Sequence, residues 1–421
     1  MTMRDFESVD NNMMIGKLSA VEIADRFGTP LYVTDENALR DNFRKINEAF
    51  NRHMPTRIHY ACKANTNLAI LRVLEQEGSF IDAVSVGEVD ISIRAGFAPN
   101  RILYSGVSVP NKDLKALVAR EVLINIDSIS EMRRLTKLVT DIPVSIRINP
   151  AVGSGHHEKV VTGAKGTKFG IPKDQVIAAF REAKELGLRP VGIHAHTGSG
   201  GLNTQPFIDV TQVLVAFANE IEEELGISLE FLDIGGGIGI PYRPEEKGLD
   251  LDSLAEEITY IVKENTSIPT FALEPGRFIV ADSTVLLTRV NDIKEAGEKN
   301  FLGVDAGFNT LIRPAFYGSY HHAAIANRFS LPGEVNYDIV GPICETGDYL
   351  AKDRLLPKAE EGDLVAIYDA GAYGFVMSSQ YNSRPRCREV LVDGEHASLI
   401  REAESLDDIL KHQRIPSRLM L

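Results

Sequence analysis

From about residue 57 the chain repeats one pattern eight times: a short apolar or β-branched run, then a stretch whose apolar residues recur at helical spacing. Strands are expected at RIHYA (57–61), FIDAVS (80–85), RILYSG (101–106), VLINID (122–127), VSIRIN (144–149), VGIHAH (191–196), EFLDIG (230–235) and TFALEP (270–275). Helical stretches lie between them, among them 67–77, 86–95, 129–139, 174–186, 207–225 and 251–264, with Gly78, Gly96, Gly187 and Gly226 where those helices should stop. A helix between successive strands lets each strand start from the same end of the sheet, so the sheet is parallel. Eight such units favour closure into a (β/α)8 TIM barrel over an open doubly wound sheet.

Beyond Arg277 the rhythm stops. STVLLTRVNDIKEAG, FLGVDAG, VNYDIVGPIC, DLVAIYDAG and RCREVLVDG read as strands separated by turn residues, with an amphipathic helix only at 406–411. The expected fold class is therefore α/β: a TIM barrel over residues 36–277 followed by a mainly β domain, sandwich- or barrel-like. Residues 1–35, ending in TPLYVTD, would add a helix and a strand to residues 278–421 in that second domain.

Composition narrows the class of function. Acidic residues exceed basic ones by 59 to 45, a balance that repels phosphate backbones and anionic lipid, so neither nucleic acid nor a membrane is an expected partner. The start MTMRDFESVDNNMM lacks the basic and apolar regions of a signal peptide, and no apolar run reaches the ~20 residues of a membrane helix. Cys62, Cys344 and Cys387 are too scattered for a disulfide framework or a zinc site, which fits a cytoplasmic protein. The pairs His156-His157 and His321-His322 have no metal-binding spacing, and no metal is expected.

In a barrel of this kind the chemistry gathers at the carboxyl ends of the strands. Lys63 follows the first strand; there a lysine is either a partly desolvated nucleophilic amine or a cation reaching out to the barrel mouth. Gly235-Gly236-Gly237 follows the seventh strand and Gly276 the eighth, where backbone amides can approach a phosphate closely; a tight turn alone would account for one or two of them. Glu274 needs a partner, either Arg277 or a protonated ring nitrogen, and His196 is either a stacking ring or a satisfied core histidine. An amine, a phosphate cradle, a stacking ring and a carboxylate together suit pyridoxal phosphate.

Tyr60-Ala-Cys-Lys63-Ala-Asn65, His194-Ala-His196-Thr-Gly-Ser199, Gly235-Gly-Gly237 and Glu274-Pro-Gly-Arg277 resemble the fold-type III pyridoxal-phosphate enzymes, which carry an alanine-racemase-like barrel and a β domain. Arg313-Pro-Ala-Phe-Tyr317, Gly341-Pro-Ile-Cys344-Glu345-Thr-Gly-Asp348, Gly371-Ala-Tyr373-Gly, Tyr381-Asn-Ser-Arg-Pro385, Thr162-Gly163 and Lys168-Phe-Gly170 resemble the diaminopimelate decarboxylase family, over about residues 29–391. Departures include Val86, where relatives often carry glycine, and Thr346, where serine is common.

The resemblance implies decarboxylation of meso-2,6-diaminopimelate to L-lysine and carbon dioxide, the last step of lysine biosynthesis. It implies that Lys63 holds the cofactor covalently, His196 stacks on its ring and Glu274 pairs with its nitrogen. Ser199, Gly237, Gly276, Arg277 and Tyr373 would hold or approach the phosphate. Arg277, Arg313, Tyr317 and Tyr373 would bind substrate, with Glu345 meeting the distal ammonium. Cys344 is the candidate proton donor, with Lys63 or water as the alternative. Cys344 and Glu345 would reach the partner's site, making the working unit a homodimer with shared active sites. The nearest alternative is a sibling decarboxylase acting on carboxynorspermidine, ornithine or arginine; Arg313 suits a second carboxylate better. A racemase or a non-catalytic carrier of the cofactor is the further alternative, disfavoured by Glu274 and by the long segment after Arg277 respectively.

Overall fold

The computed structural model describes residues 3–152, 163 and 166–420; His156, His157 and Thr162 lie outside them. Contacts divide the chain into two units, one built on Leu39–Val280 and the other on Arg4–Ala38 with Ala281–Leu421.

In the first unit eight parallel strands close on themselves: Thr56–Ala61, Phe80–Ala83, Ile102–Tyr104, Leu123–Ile126, Pro143–Asn149, Arg189–His194, Phe231–Asp233 and Thr270–Leu273. The eighth pairs back onto the first in the register Phe271↔Thr56, Ala272↔Arg57 and Leu273↔Ile58. The expected barrel is present. Ile58, Tyr60, Ile81, Leu103, Ile124, Ile146, Ile193 and Phe271 are buried, each contributing about 1.5–3 kcal/mol of apolar burial. Gly192, in the sixth strand, makes room for its neighbour: a Cβ there would sit 2.2 Å from the Phe231 ring.

Several strands end sooner than their apolar runs, because the next residues begin a helix. Phe80–Ala83 stops before Ser85, whose hydroxyl accepts from the Glu88 N–H and caps the helix Val86–Ala95. Ser128 caps Ile129–Leu135 in the same way, and Asn67 caps Leu68–Gln76. Gly96 and Gly226 terminate their helices in the left-handed conformation. The first unit extends past 277 because Arg277–Val280 forms a buried turn of helix, and Asn42 Nδ2 donates to the Ile279 carbonyl.

The second unit is a curled mixed sheet. Its strands run in the order Tyr349–Leu356, Val335–Val340, Lys299–Val304, Thr284–Ala296, Leu31–Asp35, Arg388–Asp393 and His396–Arg401. The long strand Thr284–Ala296 holds it together: residues 284–287 pair with Leu31–Asp35, 286–289 with Leu364–Ile367, and 290–296 with Lys299–Val304. Around it Tyr32, Leu286, Leu302, Ile325, Tyr337, Ile339, Val365 and Ile367 form one apolar core. The N-terminal segment supplies the helix Ala20–Phe27 and the strand Leu31–Asp35. Among the described residues no helix is long and apolar enough to cross a membrane.

Candidate active site

Around the barrel interior the strands, or the turns just after them, present buried or half-buried polar side chains, among them Lys63, Asp82, Ser105, Asn125, Arg147, His194, Asp233 and Glu274. Parallel pairing brings them level, since Ala61 stands opposite Asp82 and His194 opposite Asp233. Lys63 sits in the short turn Cys62–Ala64, and its Nζ meets Asp82 Oδ2 at 2.5 Å; Ser105 donates its hydroxyl to the other Asp82 oxygen. Asp82 is fully buried, whereas the Lys63 side chain remains 31% exposed, a cation anchored at its base and open above. Opposite, Asn125 Nδ2 lies 2.9 Å from His194 Nδ1, and His194 Nε2 lies 3.2 Å from Glu274 Oε1. The Glu274 partner is thus His194 rather than Arg277, which points elsewhere.

Three carboxyl groups share this low-dielectric space, and they cannot all ionise. Burial by itself would raise Glu274, but the groups that face it, His194 first and then Lys63 and His196, outweigh that and hold its carboxyl below the usual range. Burial and then the Glu274 charge push the Asp233 carboxyl well up. Asp82 is also raised by burial and Glu274, with Lys63 opposing. Burial, with Arg147 and Lys63 nearby, lowers His196 to about 3, so its ring is neutral near pH 7. The Gly198 N–H donates to His196 Nδ1, which leaves the ring proton on Nε2.

The glycine run has a fold reason of its own. A Cβ on Gly236 would lie 2.3 Å from the Glu274 carbonyl oxygen, and one on Gly235 2.7 Å from the Ala195 oxygen; Gly237, at φ +118°, would meet the Gly198 oxygen at 2.8 Å. These glycines let the sixth, seventh and eighth strand ends close together. Gly276 has Ala64 and Ala61 within 3.2 Å of such a Cβ. Beside them the buried Arg277 donates to Ser199 Oγ at 3.0 Å and to Tyr242 Oη at 2.8 Å, which places a guanidinium and two hydroxyls next to the glycine amides.

In the second unit Arg313 is almost fully buried at the start of the helical turn Arg313–Tyr317. His321 Nδ1 lies 2.7 Å from the Tyr368 carbonyl and therefore donates, so its Nε2 accepts from Arg313 NH1 at 2.8 Å. His322 packs edge-on against Tyr368; the doublet serves arginine placement and aromatic packing. Cys344 and Glu345 are exposed, Cys344 N–H being tied to Asn382 Oδ1. Tyr317 and Tyr373 are half-buried, Tyr373 with φ +57°.

The sequence reading missed Asp82, Ser105, Asn125, Tyr242 and His321. For Asp82 and Asn125 a signal was present: each is a polar residue inside a run of otherwise apolar barrel-strand residues, so its side chain must find a polar partner.

The residues present fit pyridoxal phosphate. Glu274 Oε1 is buried without an aligned hydrogen-bond donor, because the 3.2 Å approach of His194 Nε2 is off line. An ionised acceptor in that condition suits a protonated ring nitrogen, and Lys63 supplies the amine.

Residues 36–281 match the family model for the pyridoxal-binding domain of pyridoxal-dependent decarboxylases. Diaminopimelate decarboxylase of Methanothermobacter thermautotrophicus is 49% identical over 417 residues, 97% of each chain. That of Archaeoglobus fulgidus is 44% identical, covering 99% of this chain and all of its own length. The crystal structure of diaminopimelate decarboxylase from M. jannaschii in complex with L-lysine superposes with a TM-score of 0.93 at 35% identity over 99% of both chains. The chain belongs to the pyridoxal-dependent decarboxylases and, among them, to the diaminopimelate decarboxylase family.

Proposed function

We propose that this chain is a carboxy-lyase that converts meso-2,6-diaminopimelate to L-lysine and carbon dioxide with pyridoxal phosphate, completing lysine biosynthesis. The observation that carries the reading is the meeting of Lys63, ionised Glu274 and neutral His196 at one barrel mouth, in a chain of this family. Bound pyridoxal phosphate supplies an electron sink for the pair left behind when a carboxylate departs.

The chain's own residues do the rest. Lys63 would hold the cofactor through its amine, and Asp82, 2.5 Å from that amine, would receive it whenever it is free. Glu274 would accept from the ring nitrogen and keep it protonated, which would make the sink effective. His196 would lie against the cofactor ring as an uncharged imidazole, so that it would bring no competing positive charge. Ser199, Gly237, Gly276, Arg277 and Tyr373 would hold or approach the phosphate. Arg277, Arg313, Tyr317 and Tyr373 bind substrate carboxylate, and Glu345 the distal ammonium; His321 holds Arg313 in a fixed direction for a bidentate contact. Cys344 would be the proton donor to the carbon that loses its carboxylate.

The working unit is a homodimer in which Cys344 and Glu345 serve the partner's site; their exposure on the protomer supports this. The free thiols Cys62, Cys344 and Cys387 suit a reducing cytoplasm. The test is carbon dioxide release with pyridoxal phosphate present, offering meso-diaminopimelate beside ornithine, arginine and lysine. Release from diaminopimelate alone, abolished in Lys63→Ala, is expected. Release only from another amino acid overturns the substrate assignment.

A further inference from the structure

Two buried polar side chains in the barrel have no part in the chemistry above. Asn125 lies in the fourth strand and His194 ends the sixth; these strands are not neighbours, so the two side chains meet across the interior. Both are fully buried, where a polar group without a purpose costs stability. We propose that Asn125 and His194 are positioning residues for Glu274: Asn125 sets the His194 tautomer, and His194 turns its Nε2–H edge toward Glu274 Oε1 to hold that carboxylate as the acceptor for the cofactor ring.

The geometry argues it step by step. An amide Nδ2 can only donate, so His194 Nδ1, 2.9 Å away, must accept and carries no proton. The ring proton then sits on Nε2, which faces Glu274 Oε1 at 3.2 Å. The approach is too far off line for a good hydrogen bond, so Oε1 keeps capacity for a second donor. An electrostatic contact steadies the carboxylate and leaves its acceptor direction open. Asp233 completes the arrangement: one of its carboxylate oxygens, a His194 ring nitrogen and a Glu274 oxygen all lie within 4.8 Å of one another, and the Gly235 N–H donates to its Oδ1 at 2.7 Å. Burial and the Glu274 charge raise the Asp233 affinity for a proton, which favours the negative charge on Glu274. Lys63, His59, His196, Arg147, Asp82 and Asp127 are the other charged or titratable groups acting on these three. With the Nδ1 tautomer a bare nitrogen would face the carboxylate and push it away.

This inference rests on Glu274 being the partner of the cofactor ring, so the experiment separates the two claims. Equilibrium dialysis of pyridoxal phosphate against the apoprotein gives its affinity for wild type, His194→Ala, Asn125→Ala, Glu274→Gln and the double variant His194→Ala/Glu274→Gln. His194→Ala is expected to weaken binding about five- to fiftyfold, and Asn125→Ala less. In the Glu274→Gln background the His194 effect should largely vanish, which a general loss of packing would not produce. Imidazole nitrogen NMR on the cofactor-free wild-type chain supplies a second readout that needs no variant to fold. A protonated Nε2 with a bare Nδ1 on His194 is expected; a protonated Nδ1 overturns the proposal. Weakening by Glu274→Gln with none by His194→Ala also overturns it while leaving the cofactor assignment intact. No weakening by Glu274→Gln overturns that assignment instead.

Discussion

Glu131 offers a test of how the barrel treats a buried acid. It stands in the first turn of the helix Ile129–Leu135, where its Oε2 accepts the Asp127 N–H while its Oε1 is buried with no partner. Burial is the main cause that raises its pKa from 4.5 to about 8, with the Asp127 charge adding to it. A raised carboxyl pKa means that the folded chain keeps a proton the unfolded chain releases. The stability this group contributes is therefore full below pH 4.5 and is lost as pH rises through about 8. Each pH unit in that window costs about 1.4 kcal/mol. Glu131→Gln replaces the protonated acid by an isosteric neutral amide that can still accept from Asp127. Between pH 5.5 and 7.5 wild type should lose about 2.7 kcal/mol relative to the variant, from two units of that slope. Urea unfolding followed by circular dichroism at several pH values gives the difference directly. Parallel stability curves for the two chains over this range would refute the reasoning, since they would mean that Glu131 ionises alike in both states.

Other substitutions probe the site itself. Gly236→Ala places a Cβ 2.3 Å from the Glu274 carbonyl oxygen, a backbone atom that cannot step aside; pyridoxal phosphate affinity by dialysis should fall at least about tenfold, with a lower melting temperature. Wild-type values for both would show that the strand ends have slack. Arg313→Ala should raise KM for diaminopimelate by about tenfold or more while changing kcat less, and full activity in steady-state assays would remove the specificity argument. Mixing Lys63→Ala subunits with Glu345→Ala subunits should restore part of the activity if each site draws on both chains; mixtures as inactive as their parents would argue for sites complete within one subunit.

Much of the fold is legible because it obeys local periods. The barrel strands announce themselves as branched apolar runs, and caps such as Ser85, Ser128 and Gly96 mark helix ends by the hydrogen-bonding and conformational needs of single residues. The second unit is harder to read: Tyr349–Leu356 and His396–Arg401 are sheet strands with mixed burial and no clean alternation. Their membership depends on which edges were left to pair. Lys63, His196, the glycine run and Glu274 could be found because a parallel barrel brings all strand ends to one mouth, so sequence position alone nominates them.

What the sequence by itself determined, then, is the barrel, its mouth and the inventory of groups there. The tertiary structure decided how those groups share protons and directions. Lys63 and Asp82 are 19 residues apart, and Arg277 and Tyr242 are 35 apart. Asn125 and His194 are separated by 69 and come from strands that do not touch edge to edge. Whether Glu274, Asp233 or Asp82 holds the negative charge follows from separations of a few ångströms inside a closed barrel. Electrostatic energy in a dry interior changes steeply over such distances, and no one-dimensional pattern encodes them.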